Sequence, residues 1–282
     1  MKKLFVGIAL ATFTFSATAQ VQAPAPSPAA KIEQTVGLTD ISIAYSRPQV
    51  KGRTVFGDLV PYGKMWRTGA NKAVQFSAST DIMVEGKELK AGNYALFTVP
   101  NKDNWDIVFY EETEIWGTPR EWVDSLEALR VNVKTMALND NVESFTISID
   151  NVVESKKAQV SISWATTKVM FNIETPMEKM ALASIEKTMA GPSAGDYYSA
   201  ASFYLETGKD LEQALVWIKK SSELREKEAY WVLRKQSLIE AKSGKTDDAI
   251  KTAKRSLELA EKAGNGDYVK MNKESIAEWS KK

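Results

Sequence analysis

Trp66-Arg67-Thr68-Gly69-Ala70-Asn71 places an indole, a planar cation and an amide within one short run. A guanidinium pairs bidentately with a carboxylate or a phosphate, and a carboxamide both donates and accepts hydrogen bonds. The hexapeptide closes a longer irregular segment, Ser46 to Asn71, which holds four Gly, two Pro and three Arg (Arg47, Arg53 and Arg67). Residues of these types shape a surface, and two readings of it stay open. Either the loop recognises an anionic or polar ligand, or Arg67 holds loop carbonyls while Asn71 caps a turn.

The eight Trp invite a sugar-binding reading, because an exposed indole face stacks on a pyranose ring. Trp164 lies on an alternating strand pattern, Trp105 opens a strand, and Trp217 and Trp231 fall on helical patterns, so these four read as core. Trp66 and Trp116 differ: each sits beside Gly-bearing loop sequence near an Arg, and each reads equally as a core plug or a ligand contact. The candidate binding residues are therefore Arg47, Arg53, Trp66, Arg67, Asn71 and Trp116.

Histidine and cysteine are both absent. That removes Ser-His-Asp and Cys-His catalysis, and with them the ordinary zinc, copper and non-haem iron sites, which need imidazole or thiolate. Carboxylate pairs, lysine chemistry and oxygen-ligated hard cations remain. Ser243-Gly244-Lys245-Thr246 resembles the end of a phosphate-binding loop, but the earlier glycine it needs falls at Ile239, so it reads as a helix-ending turn. Ser184-Ile185-Glu186-Lys187 fits S-x-x-K without the companion motifs. Asn101-Lys102-Asp103-Asn104 and Asn139-Asp140-Asn141 lack calcium-loop spacing and read as hairpin loops. No catalytic residue, metal ligand or cofactor is assigned. A net charge of +1 gives no reason to expect nucleic acid.

The elements that must position these residues follow from periodicity. From Thr39 to Glu174 the apolar period is two, as in Ile41/Ile43/Tyr45, Phe145/Ile147/Ile149, Val160/Ile162/Trp164 and Val169/Phe171/Ile173. Eight or nine short strands of this kind predict an antiparallel sandwich or barrel. Only Trp122 to Leu129 reads as helical inside this region. After Pro176 the period becomes helical, as in Leu211/Ala214/Leu215/Ile218 and Ile250/Ala253/Leu257/Ala260. Gly208-Lys209 followed by Ala214-Leu215 is echoed by Gly244-Lys245 followed by Ala249-Ile250, close to the roughly 34-residue tetratricopeptide period. The alternative is a plain bundle of helical hairpins.

The N-terminus has Lys2 and Lys3, an apolar run from Leu4 to Phe15, then Ala17-Thr18-Ala19, the order of a secretory signal peptide cleaved after Ala19. The run is too short to span a bilayer, which takes roughly 20 residues, and no later segment is apolar enough to span. The expected organisation is signal peptide 1–19, Pro- and Ala-rich tether 20–31, β domain 32–175 and helical domain 176–282. With no disulfides, stability must come from buried apolar area, and 44% hydrophobic residues suffice for two domains.

Several motifs of the first domain together resemble the bacterial family catalogued as domain of unknown function 2911. They are Y-S-R-P at Tyr45 to Pro48, K-G-R at Lys51 to Arg53, F-G-D-L-V-P-Y-G at Phe56 to Gly63, and W-R-T-G-A-N. A-G-N-Y-A-L-F-T-V-P at Ala91 to Pro100, Trp105 and Trp116-Gly117 complete the set. The resemblance covers roughly Ser27 to Glu174. It implies an exported protein typical of Bacteroidetes-type bacteria, with a helical repeat tail, and it brings no reaction or ligand.

These readings converge on an α+β protein of two domains, an antiparallel all-β sandwich or barrel followed by helical hairpins resembling tetratricopeptide repeats. The function they favour is a non-enzymatic periplasmic or secreted binding or scaffold protein, whose partner is an envelope protein or peptide held in a helical groove. A glycan-binding module using Trp66 and Trp116 is the alternative. A hydrolase built on two carboxylates is the third.

Overall fold

The computed structural model describes residues 24–189 and 191–281. The expected signal peptide, its cleavage point and the tether as far as residue 23 lie outside the described residues. The chain divides into two compact units, one ending at Thr175 and one beginning at Pro176.

The first unit is all β. Its strands are β1 (Ala29–Val36), β2 (Thr39–Ser46), β3 (Val74–Ala78), β4 (Ile82–Val84), β5 (Lys87–Leu89), β6 (Gly92–Pro100), β7 (Asn104–Tyr110), β8 (Glu127–Val153) and β9 (Lys157–Glu174). They pair antiparallel in the order β1-β2-β3-β6-β7-β8-β9-β4-β5. Ala29 to Lys31, expected in the tether, instead open β1, where they pair with Ser46, Tyr45 and Ala44. Glu85 and Gly86, at φ 47° and 76°, form the two-residue turn of the β4–β5 hairpin, whose backbone twist matches that of its strands.

Two strands are much longer than their sequence pattern predicts. The runs around Val131 and Phe145 are parts of β8, and those around Val160 and Val169 are parts of β9. Each long strand bends midway. Register shifts interrupt β8 between Ala137 and Thr146, and Ala165 of β9 takes φ 51°. Strands that bend or bulge in this way turn a corner from one sheet layer to the next. Asn139 to Asn141, expected as a hairpin loop, sits inside the bent stretch of β8, because pairing with β9 resumes on both sides of it. Asn101 to Asn104 does form the turn between β6 and β7, with Asn101 N–H donating to Asn104 O over 3.0 Å. The helix expected at Trp122 to Leu129 is reduced to a 3-10 turn at Asp124–Leu126. From Glu127 onward the ladder with β7 takes the backbone, with Leu129 opposite Phe109 and Val131 opposite Ile107.

The bends fold the sheet over a single apolar interior that includes Ile43, Phe76, Phe109, Phe145, Trp164 and Phe171. Chain that follows β2 closes the fold: Phe145 N–H donates to Pro48 O and Val50 N–H to Glu143 O, both over 2.8 Å. Tyr45 locks the same seam, its hydroxyl donating to Ile147 O over 3.1 Å and accepting from Ile147 N–H over 3.0 Å. Strands β6 and β7 are buried on both faces, since Phe97, Val108 and Tyr110 pack on the far side against Trp122. Their continuous apolar runs, rather than alternation, are the mark of that double burial.

The second unit is all helix: α1 (Met177–Thr188), α2 (Ala194–Thr207), α3 (Leu211–Glu223), α4 (Tyr230–Lys242), α5 (Thr246–Lys262) and α6 (Gly266–Trp279). Helices α2, α4 and α6 begin 36 residues apart, at Ala194, Tyr230 and Gly266. Gly208 ends α2 in the left-handed conformation and Gly244 follows α4 at φ 77°, each releasing the chain into the next helix. Ala214 and Ala249, at corresponding points of α3 and α5, are fully buried, and their small side chains permit close helix packing. A hydrogen bond repeats as well: Ser221 Oγ donates to Ala194 O over 2.7 Å, and Ser256 Oγ to Tyr230 O over 2.8 Å. Ser243 to Thr246 is the turn from α4 into α5, and Ser184 to Lys187 lies on α1. No helix among the described residues is long and apolar enough to cross a membrane.

Candidate functional site

The segment after β2 leaves the sheet through two tight turns. Lys51 and Gly52 take φ 49° and 69°, and Arg53 N–H closes the turn on Val50 O over 3.1 Å. Arg53 folds back over this turn, its Nε donating to Val50 O at 3.0 Å and its Nη2 to Gln49 O at 2.6 Å. The chain then coils through Phe56 and Val60 and returns to the sheet at Trp66, whose N–H and C=O bond with Thr98 over 2.8 and 2.9 Å.

Beyond Trp66 the backbone is forced into an unusual path. Thr68, Gly69 and Asn71 take φ 60°, 142° and 62°. A β-branched residue such as Thr68 rarely adopts positive φ, and such geometry persists only where the surroundings over-determine it. Here Thr68 is fully buried, its hydroxyl donating to Thr98 Oγ1 over 3.1 Å. Gly69 admits no side chain, since a Cβ would stand 2.9 Å from Ser46 O. Asn71 Nδ2 reaches Ser46 Oγ at 3.2 Å and Ser27 O at 3.4 Å.

This path builds a cleft of about 350 Å³ in the β unit. Its polar wall carries Lys51, Arg53 and Arg67, and no Asp or Glu lines it. Pro48, Leu59 and Val60 give it an apolar side, and Trp66 and Trp164 lie at its base. The two indoles stack at 5.8 Å with 13° between their planes, and Phe56, Trp105 and Phe145 meet Trp66 edge-on. Arg67 Nε is buried without a hydrogen-bond partner, and the guanidinium has no ion pair among the described residues. The nearby carboxylate of Glu143 is occupied by the backbone, its Oε1 accepting from Lys51 N–H over 2.9 Å.

Arg53, Trp66 and Arg67 thus come together in one cleft, and the other three candidates stand outside its lining. Arg47 ties the chain to β8, its Nε donating to Phe145 O at 3.0 Å and its Nη2 to Thr146 Oγ1 at 2.8 Å. Asn71 fastens the loop as described. Trp116 is 77% exposed, whereas Trp66 is 9% exposed. The backbone of Trp116 is zipped to the hexapeptide, with Gly117 N–H donating to Asn71 O over 3.2 Å, yet its indole points away into solvent. Lys51 and Trp164 were not among the candidates. Lys51 stands in the K-G-R motif, where a Lys-Gly pair following an apolar residue signals a projecting turn; no local signal aims Trp164 at the loop.

A second charged cluster lies on β7 and β8, outside this cleft. Arg130 donates to both oxygens of Glu127, at 2.8 and 2.6 Å, and to Asp106 at 3.3 Å. These bonds from Arg130 hold the Glu127 carboxyl below the usual carboxylate range. Partial burial opposes the shift, and a further bond from Trp122 Nε1 assists it.

Fold and site define an α+β protein of two parts, an antiparallel, corner-bent β unit carrying a cationic cleft and a unit of helical hairpins. Residues 27–173 match the model of the family described as protein of unknown function (DUF2911), and the chain belongs to that family, the one its motifs resemble. No curated protein and no solved structure matches the chain.

Proposed function

We propose that this is a non-enzymatic binding protein of the cell envelope, exported by its N-terminal signal sequence, whose β unit captures an anionic group in the cleft beside Arg67. One observation carries the reading: a buried, unpartnered guanidinium N–H in a cleft walled by two further cations and no carboxylate. A buried donor without a partner costs about 1–3 kcal/mol, and a carboxylate or phosphate oxygen would supply the missing acceptor. The apolar side around Leu59 suits a ligand that carries its charge on an organic body. The helical hairpins, with their 36-residue period and buried alanines, support a tetratricopeptide-like scaffold that presents a groove to an envelope protein or peptide.

The test is thermal unfolding of the purified protein with succinate, inorganic phosphate or succinamide, the neutral diamide of succinate. A saturable rise in Tm with either anion, absent with succinamide and absent in Arg67→Met, supports the proposal. Equal behaviour of wild type and variant toward all three would refute it.

A glycan-binding reading of the tryptophans rests on Trp116, because the Trp66 ring is enclosed by aromatic neighbours. Titrating envelope glycans while following tryptophan fluorescence, with Trp116→Ala as control, decides it. A response that survives the substitution removes Trp116 from any such site.

A further inference from the structure

A second hollow of about 540 Å³ opens elsewhere in the β unit and shares no residue with the cationic cleft. It forms where the two ends of β9 meet, Thr175 N–H donating to Lys156 O over 2.8 Å, with the β4–β5 hairpin as its other wall.

Three carboxamides cross this hollow in a single directed chain. Asn151 Nδ2 donates to Gln159 Oε1 over 2.6 Å, and Gln159 Nε2 to Asn172 Oδ1 over 3.0 Å. Asn172 Nδ2 donates to Glu85 Oε1 over 2.9 Å, an oxygen that also accepts the Asn172 backbone N–H. Each carboxamide spends one N–H on its neighbour and keeps a second N–H and a further acceptor lone pair. Because the chain ends on a carboxylate, every bond polarises the next in the same sense. The result is a fixed row of alternating donors and acceptors along the hollow.

The remaining walls narrow the ligand class. Glu85 and Glu174 outnumber Lys157, which lies 3.7 Å from Glu174, so the lining has a net negative charge and disfavours anions. Val153 and Met83 are both exposed, and Ala158 and Ile173 form a buried apolar floor. Vicinal hydroxyls each donate and accept and match a row of carboxamides, while the C–H face of a pyranose rests on aliphatic side chains. The volume falls within the range of small-molecule sites, about 300–1,000 Å³.

We propose that this carboxamide-lined hollow binds a neutral oligosaccharide. The site is independent of the anion cleft and of Trp116, so its failure or success leaves both of those readings untouched.

The side-chain NH₂ groups of Asn151, Gln159 and Asn172 report the site directly in ¹⁵N-labelled protein. They are followed during titration with neutral maltotriose, cellotriose, mannotriose and chitotriose, with trigalacturonate as the anionic comparison and trialanine as the peptide comparison. Saturable shifts of all three NH₂ pairs with at least one neutral sugar are expected, and trigalacturonate should leave them still. Gln159→Leu breaks the chain at its centre, and Val153→Lys blocks the rim from an exposed position that the core does not need. Each is expected to weaken binding by about tenfold or more. The proposal is overturned if no neutral sugar moves these resonances, if trigalacturonate or trialanine moves them equally, or if folded Val153→Lys binds as wild type does.

Discussion

Trp66 and Trp164 lie nearly parallel, ring centroids 5.8 Å apart, although one comes from an irregular loop and the other from the middle of β9. The stack is the point at which the loop is fastened to the apolar interior, with Phe145 set edge-on to both rings. Trp66→Ala is expected to lower stability by about 3–5 kcal/mol, as for a large aromatic removed from a core. Trp116→Ala should change it by under about 0.5 kcal/mol. Urea unfolding of the two variants measures the contrast, and equal effects would refute the assignment of inward and outward roles.

Arg67 is expected to behave in the opposite way. Its orphaned Nε already costs stability, so Arg67→Met should leave the unliganded protein unchanged or stabilise it by about 1 kcal/mol. Chemical unfolding without added anions reads this out. A loss beyond about 1 kcal/mol would mean that the guanidinium braces the loop instead.

Gly69 tests the strained path of the hexapeptide. A methyl group there meets Ser46 O at 2.9 Å on a backbone at φ 142°, so Gly69→Ala is predicted to cost about 3 kcal/mol or more. Because Ser46 also receives the Asn71 amide, the same substitution should loosen the cleft. Faster amide exchange at residues 66–71, compared with those of β7, would show it.

The acid limb of stability should carry the signature of Glu127. Arg130 depresses its folded pKa below the ordinary 4.5, so its contribution is present above that value and is lost as pH falls through the folded pKa. Melting followed from pH 7 downward should therefore show a fall below about pH 4.5 that is shallower in Glu127→Gln. Above that range the variant should be the less stable of the two, since Arg130 would then keep only Asp106 as a charged partner.

Much of the architecture could be read directly from residue periodicity. Ile41, Ile43 and Tyr45 alternate because one face of β2 meets the core, and the change to helical spacing after Pro176 accompanies the six helices. Gly208 and Gly244 marked helix ends because left-handed backbone is cheap only for glycine. The bends of β8 and β9 were hidden, since a bulge is set by cross-strand partners rather than by the residues it contains: Asn139 to Asn141 carry turn chemistry yet lie in a strand. The helical reading of Trp122 to Leu129 lost to pairing with β7 for the same reason. At the site, Arg53, Trp66 and Arg67 were visible in the loop itself. Trp164 joined them only through the folding of β9, and the carboxamide chain draws on three separate stretches of sequence.

The closing of Pro48 to Val50 onto Glu143 to Phe145 also limits how these molecules meet one another. A sheet with long open margins recruits further strands from neighbouring chains and polymerises. In this sheet the terminal strands are β1 and β5. β5 is only three residues long and charged at Lys87 and Glu88, and β1 displays Lys31 and Glu33 in mid-strand. Charged margins of this kind, one of them also short, oppose edge-to-edge growth, a safeguard suited to a chain that carries no disulfide to restrain its unfolded state.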